Sequence, residues 1–299
     1  MTTWKYYILF FGLLCGSLQS FSQYNAYAVD DLSQREMEQL ATVVPQGTVI
    51  RMGGEEYEHR DYSTSKVLEF TNLISGSVSF MSGDFDNVTK YAELGSHARS
   101  EVTFKNEQWL EIEEWRYIKN DFWTYLLNRE RYYRNHAQRH ISEANAFLEE
   151  MRNAGHDVTL VINVPLPQNR NLAAYLNEVS KHNEITKVSI HVYGKWKESD
   201  YFTKLRSWLE IIKSYGWDVM CGEMSGLFNH KEGRELKNSD LHREMHTAIV
   251  STLLAYGITE IYYFTLCANE ESLQWKNPQI YNRWIVGDDF VSDELDNVF

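Results

Sequence analysis

Cysteine is scarce in this chain: three in 299 residues. One of them, Cys15, lies in an N-terminal apolar segment, which leaves Cys221 and Cys267. Two cysteines make no disulfide framework, so the fold must be held by its core. Both sit in apolar, strand-like runs and read as small buried hydrophobes. Only four prolines occur, and no Pro/Gly/Ser-rich stretch, low-complexity tract or fixed-period repeat interrupts residues 24–299. That excludes linkered modules and solenoid arrays and leaves one domain. Cations are in deficit, 29 Lys+Arg against 42 Asp+Glu for a net charge of −13, which argues against nucleic acid, because phosphate binding needs clustered Lys and Arg. No Gly-rich turn of the dinucleotide or P-loop kind is present, and no cofactor is expected.

The longest apolar run is short and lies at the start. Lys5 is the only charge among the first 22 residues and precedes Tyr6-Tyr7-Ile8-Leu9-Phe10-Phe11-Gly12-Leu13-Leu14. The run falls short of the ~20 residues a membrane span needs. Ser20 and Ser22 stand at the −3 and −1 positions of a cut before Gln23, the pattern of a secretory signal peptide. A lipoprotein anchor at Cys15 fits poorly, with bulky Leu14 before it. Residues 1–22 are therefore read as a signal peptide and residues 23–299 as one secreted or periplasmic domain, with no membrane association after cleavage.

What the chain has in plenty is aromatic surface: nine Trp, 19 Tyr and 14 Phe. Such rings fill a large core, and they also offer sugars a face to stack on. Along the chain, short β-rich runs alternate with stretches at helical spacing, the pattern of a parallel α/β fold. In the second half, 157–164 (DVTLVINV), 187–192, 218–223 and 260–266 are predicted strands. Helices are predicted over 171–182, after a Ser199 cap with Phe202, Leu205, Leu209 and Ile212 on one side, and over 239–256. In the first half, 27–29, 48–52, 77–81 and 108–115 supply four more strand candidates. Eight strands with intervening helices predict a (β/α)8 TIM barrel, irregular in its first half. A doubly wound open sheet is the rival.

In such a barrel the chemistry sits at the carboxyl ends of strands. Glu223 ends the run Asp218-Val219-Met220-Cys221-Gly222-Glu223. In Trp109-Leu110-Glu111-Ile112-Glu113-Glu114-Trp115 a period of two puts Leu110 and Ile112 on one face and Trp109, Glu111, Glu113 and Trp115 on the other. With the apolar face toward the helices, Glu113 enters the mouth as the acid/base candidate and Glu111 lies one layer deeper. Two carboxylates of this kind suit glycosidic cleavage: one protonates the leaving oxygen, while the other attacks or steadies an oxocarbenium-like centre.

Residues 106–113 (NEQWLEIE) resemble a degenerate form of the strand-four Asp-x-x-Asp-x-Asp-x-Glu motif of family 18 chitinase-like barrels, departing at Asn106, Trp109 and Glu111. The last third resembles the clan A retaining glycoside hydrolases. Ile190-His191-Val192-Tyr193-Gly194 is similar to their sixth strand, Cys221-Gly222-Glu223-Met224-Ser225 to the nucleophile-bearing seventh, and Ile261-Tyr262-Tyr263-Phe264 to the aromatic eighth. Glu113-Glu114 stands where that clan has Asn-Glu. Arg51-Met52-Gly53-Gly54-Glu55 resembles either the clan's second-strand Arg segment or a strand-four Gly-Asn-Glu with Glu55 as acid; too few residues precede it for the latter. The resemblance implies Glu113 as general acid/base and Glu223 as nucleophile, with His191, Tyr193 and Arg51 supporting. Glu55, Glu111, Trp109, Trp115 and Trp196 are then candidate sugar contacts, and a carbohydrate the expected partner.

Two rival readings remain. The departures from both motifs fit a carbohydrate-binding barrel without catalysis. His242 and His246, at i and i+4, fit a metal-dependent hydrolase, although Glu244 between them does not match the His-Glu-x-x-His pattern of zinc proteases. His136 and His140 repeat the spacing, and a polar helix face accounts for both pairs. No metal is expected. Ser225 lacks the Gly-x-Ser-x-Gly context of a nucleophilic serine.

Overall fold

The β-rich runs of the sequence close into a ring. In the computed structural model, which describes residues 23–25, 32–53, 63–82, 87–104, 121–195, 198–225 and 240–264, eight parallel strands pair in sequence order and the last pairs with the first. The strands are β1 (Gln23–Asn25), β2 (Val49–Gly53), β3 (Ser77–Met81), β4 (Ala98–Phe104), β5 (Thr159–Asn163), β6 (Lys187–Tyr193), β7 (Asp218–Ser225) and β8 (Ile261–Phe264). The described helices are α1 (Gln34–Val43), α2 (Thr64–Leu73), α3 (Asn87–Leu94), α4 (Phe122–Leu127), α5 (Arg129–Asn153), α6 (Arg170–Val179), α7 (Tyr201–Ser214) and α8 (Asp240–Ala255). This is the (β/α)8 barrel, and the open-sheet alternative falls.

Local chemistry explains the helix ends. Asn128 Oδ1 accepts from the Arg131 amide at 3.0 Å and starts α5. Asn169 Oδ1 accepts from the amides of Asn171 and Leu172 at 2.9 and 3.0 Å and starts α6. Asp200, not Ser199, occupies the cap of α7, without a side-chain cap bond. Gly216, at φ +79°, lets the chain turn out of α7 into β7.

Three expectations need correction. The fourth strand is Ala98–Phe104, not 108–115, and β1 is Gln23–Asn25, four residues ahead of the 27–29 candidate; residues 108–115 and 27–29 lie outside the described residues. The His136/His140 pair is not on a polar face. Both are buried on the inner side of α5, where the His140 ring packs on Phe104 and its Nδ1 hydrogen-bonds the Tyr175 hydroxyl of α6.

The barrel interior is filled in layers. At the amino-terminal end, Lys187 Nζ donates to Glu101 and Glu260, each at 2.7 Å, and Arg99 Nη1 donates to Glu260 at 2.7 Å. These groups come from β4, β6 and the approach to β8, so charges inside the ring neutralise one another. Burial alone would lower the Lys187 pKa and raise that of Glu260. The mutual hydrogen bonds and charges prevail, so Lys187 is held up and Glu260 down. Above them Val161, Met220 and Tyr262 pack together with Val49 against them, an apolar plate that seals the middle of the ring. One inward step further along the same strands are Asn163, Gly222 and Arg51.

Candidate active site

The upper layer is polar because strands 2, 5, 6 and 7 each bring a polar residue into it: Arg51, Asn163, Ser189 and Glu223. Arg51 of β2 is fully buried and spans the ring. Its Nη1 donates to the Gly222 carbonyl of β7 at 2.6 Å, and Nη2 lies 3.5 Å from Ser189 Oγ of β6. Its Cζ stands 5.7 Å from the centroid of the Tyr262 ring of β8. Gly222 makes room for this: a Cβ there would meet Arg51 Nη1 and Ser189 Oγ, each at 2.2 Å.

Gly222 is also where the β6–β7 register slips, Ile190 pairing with Cys221 and His191 with Glu223. The slip is a bulge, and a bulge re-aims the next side chain. Glu223 is fully buried. The Tyr193 hydroxyl donates to its Oε2, and His191 Nδ1 lies 3.3 Å from the same oxygen. Burial lowers the His191 pKa to about 4; Glu223 opposes that and Arg51 adds to it. The imidazole is therefore neutral at pH 7, and its contact with Glu223 is not an ion pair. Tyr193 is itself positioned by Tyr201 of α7, whose hydroxyl donates to the Tyr193 carbonyl at 2.8 Å. Burial raises the pKa of the neighbouring Cys221 thiol, which is no nucleophile in that state and donates to the Glu223 carbonyl at 3.2 Å.

Of the residues singled out from the sequence, the structure brings four together: Arg51, His191, Tyr193 and Glu223. Glu55, Trp109, Glu111, Glu113, Trp115 and Trp196 lie outside the described residues. Two features escaped the sequence reading. The first is Asn163, the lone polar residue at the last inward position of an apolar strand. The second follows from the corrected β4: an Asn-Glu pair, Asn106 and Glu107, stands two and three residues beyond Phe104 in the sequence. Arg99 and Glu101 concealed that strand, because charged residues on an inner face read as loop. Among the described residues no group of three or more His, Cys, Asp or Glu is placed to hold a metal ion. His246 is buried on α8.

The fold and the Glu223 site define a (β/α)8 protein with a carboxylate held at the mouth of the barrel. No known family matches the chain, and no curated protein matches it. Among solved structures, a family GH128 endo-β-1,3-glucanase from Amycolatopsis mediterranei, in complex with laminarihexaose, is 11% identical over 92% of this chain and 98% of that one, at a TM-score of 0.49. An endo-1,4-β-xylanase from Caldicellulosiruptor owensensis is 14% identical over 88% and 90%, at 0.48. The GH53 catalytic domain of Ignisphaera aggregans is 10% identical over 80% and 79%, at 0.48. Matches this distant assign neither substrate nor reaction.

Proposed function

We propose that this chain is an exported glycoside hydrolase that cleaves an oligo- or polysaccharide with retention of configuration, and that Glu223 is its nucleophile. The observation that carries this reading is the Glu223 carboxylate at the carboxyl end of β7, with the Tyr193 hydroxyl and neutral His191 on one oxygen. The phenol steadies the anion before attack. In the first step a Glu223 oxygen bonds to the anomeric carbon while the glycosidic C–O bond breaks and the acid protonates the departing oxygen. In the second step water attacks that carbon, its proton returns to the same acid/base, and the Glu223 ester bond breaks.

The acid/base is supplied by the segment after β4. Glu107 stands three residues beyond Phe104, a chain length of about 10 Å at most. Glu113 stands nine residues beyond Phe104, so its reach from the end of β4 is about three times as long. Glu107 is the first choice and Glu113 the second. Arg51 holds the Gly222 carbonyl and so fixes the bulge that aims Glu223. Export rests on the N-terminal pattern; a cut before Gln23 would leave β1, which starts there, intact.

The test is hydrolysis of β-1,3-, β-1,4-gluco-, manno- and xylo-oligosaccharides. Glu223→Gln should abolish turnover. Glu107→Gln should abolish it on these substrates yet retain the first step on 2,4-dinitrophenyl glycosides, whose leaving group needs no proton, with azide restoring turnover. If Glu113→Gln behaves that way and Glu107→Gln does not, the acid is Glu113. Full activity of Glu223→Gln, or an inverted anomer as first product, defeats the proposal. Export is checked by N-terminal sequencing of secreted protein, with Gln23 expected first. The complete burial of Glu223 favours one rival, a binding barrel without turnover; saccharide binding by the wild type with no hydrolysis across the panel would establish it.

A further inference from the structure

We infer that Asn163 contacts the substrate, its side-chain amide hydrogen-bonding a hydroxyl of the sugar seated against Glu223. This deepens the reading of the site as a carbohydrate pocket and rests on it. Asn163 is the last residue of β5, at the end of the strand where sites form in this fold. Two facts place its side chain inside the ring. It pairs with Ser189, whose hydroxyl faces Arg51 across the interior. It also lies two residues beyond Val161, which packs in the apolar plate with Met220 and Tyr262.

The same step carries Met220 to Gly222 beside Glu223, and Val49 to Arg51. Asn163 therefore shares a layer with Arg51 and the Glu223 bulge, directly above the plate. That layer is the polar floor of the barrel mouth, and half-buried Tyr193 stands at its rim.

Asn163 is fully buried, and neither Oδ1 nor Nδ2 has a hydrogen-bond partner among the described residues. Leaving a buried polar atom unpaired costs about 1–3 kcal/mol, and an amide carries both a donor and an acceptor. An apolar side chain of the same size would suit the fold better. A sugar hydroxyl, which both donates and accepts, can satisfy either atom. Stability given up at such a position is a mark of function.

The experiment compares Glu223→Gln with the double variants Glu223→Gln/Asn163→Leu and Glu223→Gln/Asn163→Ala, so that turnover does not interfere. Binding of laminarihexaose, cellohexaose, mannohexaose and xylohexaose is measured by titration calorimetry, and Tm by differential scanning calorimetry. The expected result is at least tenfold weaker binding of whichever oligosaccharide the single variant binds, with a Tm in the leucine variant equal to the parent's or higher. If leucine does not fold, the alanine variant carries the binding comparison.

Unchanged affinity overturns the inference. So does a fall in Tm of more than about 5 °C in both variants, or failure of both to fold, because the amide then serves the fold. If the single variant binds none of the four sugars, the carbohydrate reading fails and takes this one with it.

Discussion

Alanine at position 222 tests the arrangement of the upper layer most directly. The added methyl would lie 2.2 Å from Arg51 Nη1, 2.2 Å from Ser189 Oγ and 2.7 Å from Arg51 Cζ. Ser189 can turn its hydroxyl away. The guanidinium cannot easily retreat, because it is fully buried and its Nη1 is bonded to the Gly222 carbonyl at 2.6 Å. Overpacking a core costs about 1–3 kcal/mol, and a lost hydrogen bond to a charged group about 1.5–3 kcal/mol. If the clash displaces Arg51, both apply, and Gly222→Ala should cost roughly 3–5 kcal/mol. For a chain of this size that is a fall in Tm on the order of 10 °C. Urea unfolding of Gly222→Ala, Arg51→Met and the double variant separates the causes. With methionine at 51 the methyl meets no guanidinium, and the alanine should then cost less than about 1 kcal/mol, giving a coupling of some 2 kcal/mol or more. A loss below about 0.5 kcal/mol in the single variant, or the same loss in both backgrounds, would refute the packing described.

Three further outcomes are expected. His191 titrates near 6.5 in the unfolded chain and only near 4 in the fold. Below pH 6.5 the unfolded state therefore binds the additional proton, and stability falls as pH drops from 6.5 to about 4, by about 3 kcal/mol in all. His191→Gln should flatten that slope in urea titrations at several pH values, and an unchanged slope contradicts the assignment. Lys187→Met strips the cation from between Glu101 and Glu260 and should destabilise the protein by about 2 kcal/mol, less than for a fully buried pair because Glu101 is partly exposed; stability within 0.5 kcal/mol of wild type counts against the charged layer. On the proposed mechanism, Tyr193→Phe removes the phenol from Glu223 and should lower kcat about tenfold to a hundredfold with little change in Tm. Full activity in that variant would exclude the phenol from the reaction.

The second half of the barrel was legible because its strands obey one rule. In 157–164, 187–192 and 218–223, apolar runs end at a Pro, a Gly or a strand-end carboxylate, so strand and site are read together. The first half breaks that rule at β4. Arg99 and Glu101 face inward, and nothing local reveals that Lys187 and Glu260, some 90 and 160 residues away, neutralise them. Hidden with that strand was the Asn-Glu pair at its end. The burial of His136 and His140 was equally invisible, since helical spacing shows which residues share a face but not what covers it. Asn163 is hidden for another reason: a single amide at a strand end has no signature until the described residues around it are seen to offer it no bond.

The Arg51 bond to Gly222 joins residues 171 positions apart. It can form only after the ribbon of strands has curled round and its two ends have met. The feature that aims Glu223 therefore draws on both halves of the chain, and neither half can assemble it alone. Any treatment that opens the ring should undo the Glu223 arrangement in step with the loss of the whole structure, leaving no dormant fragment in which it survives.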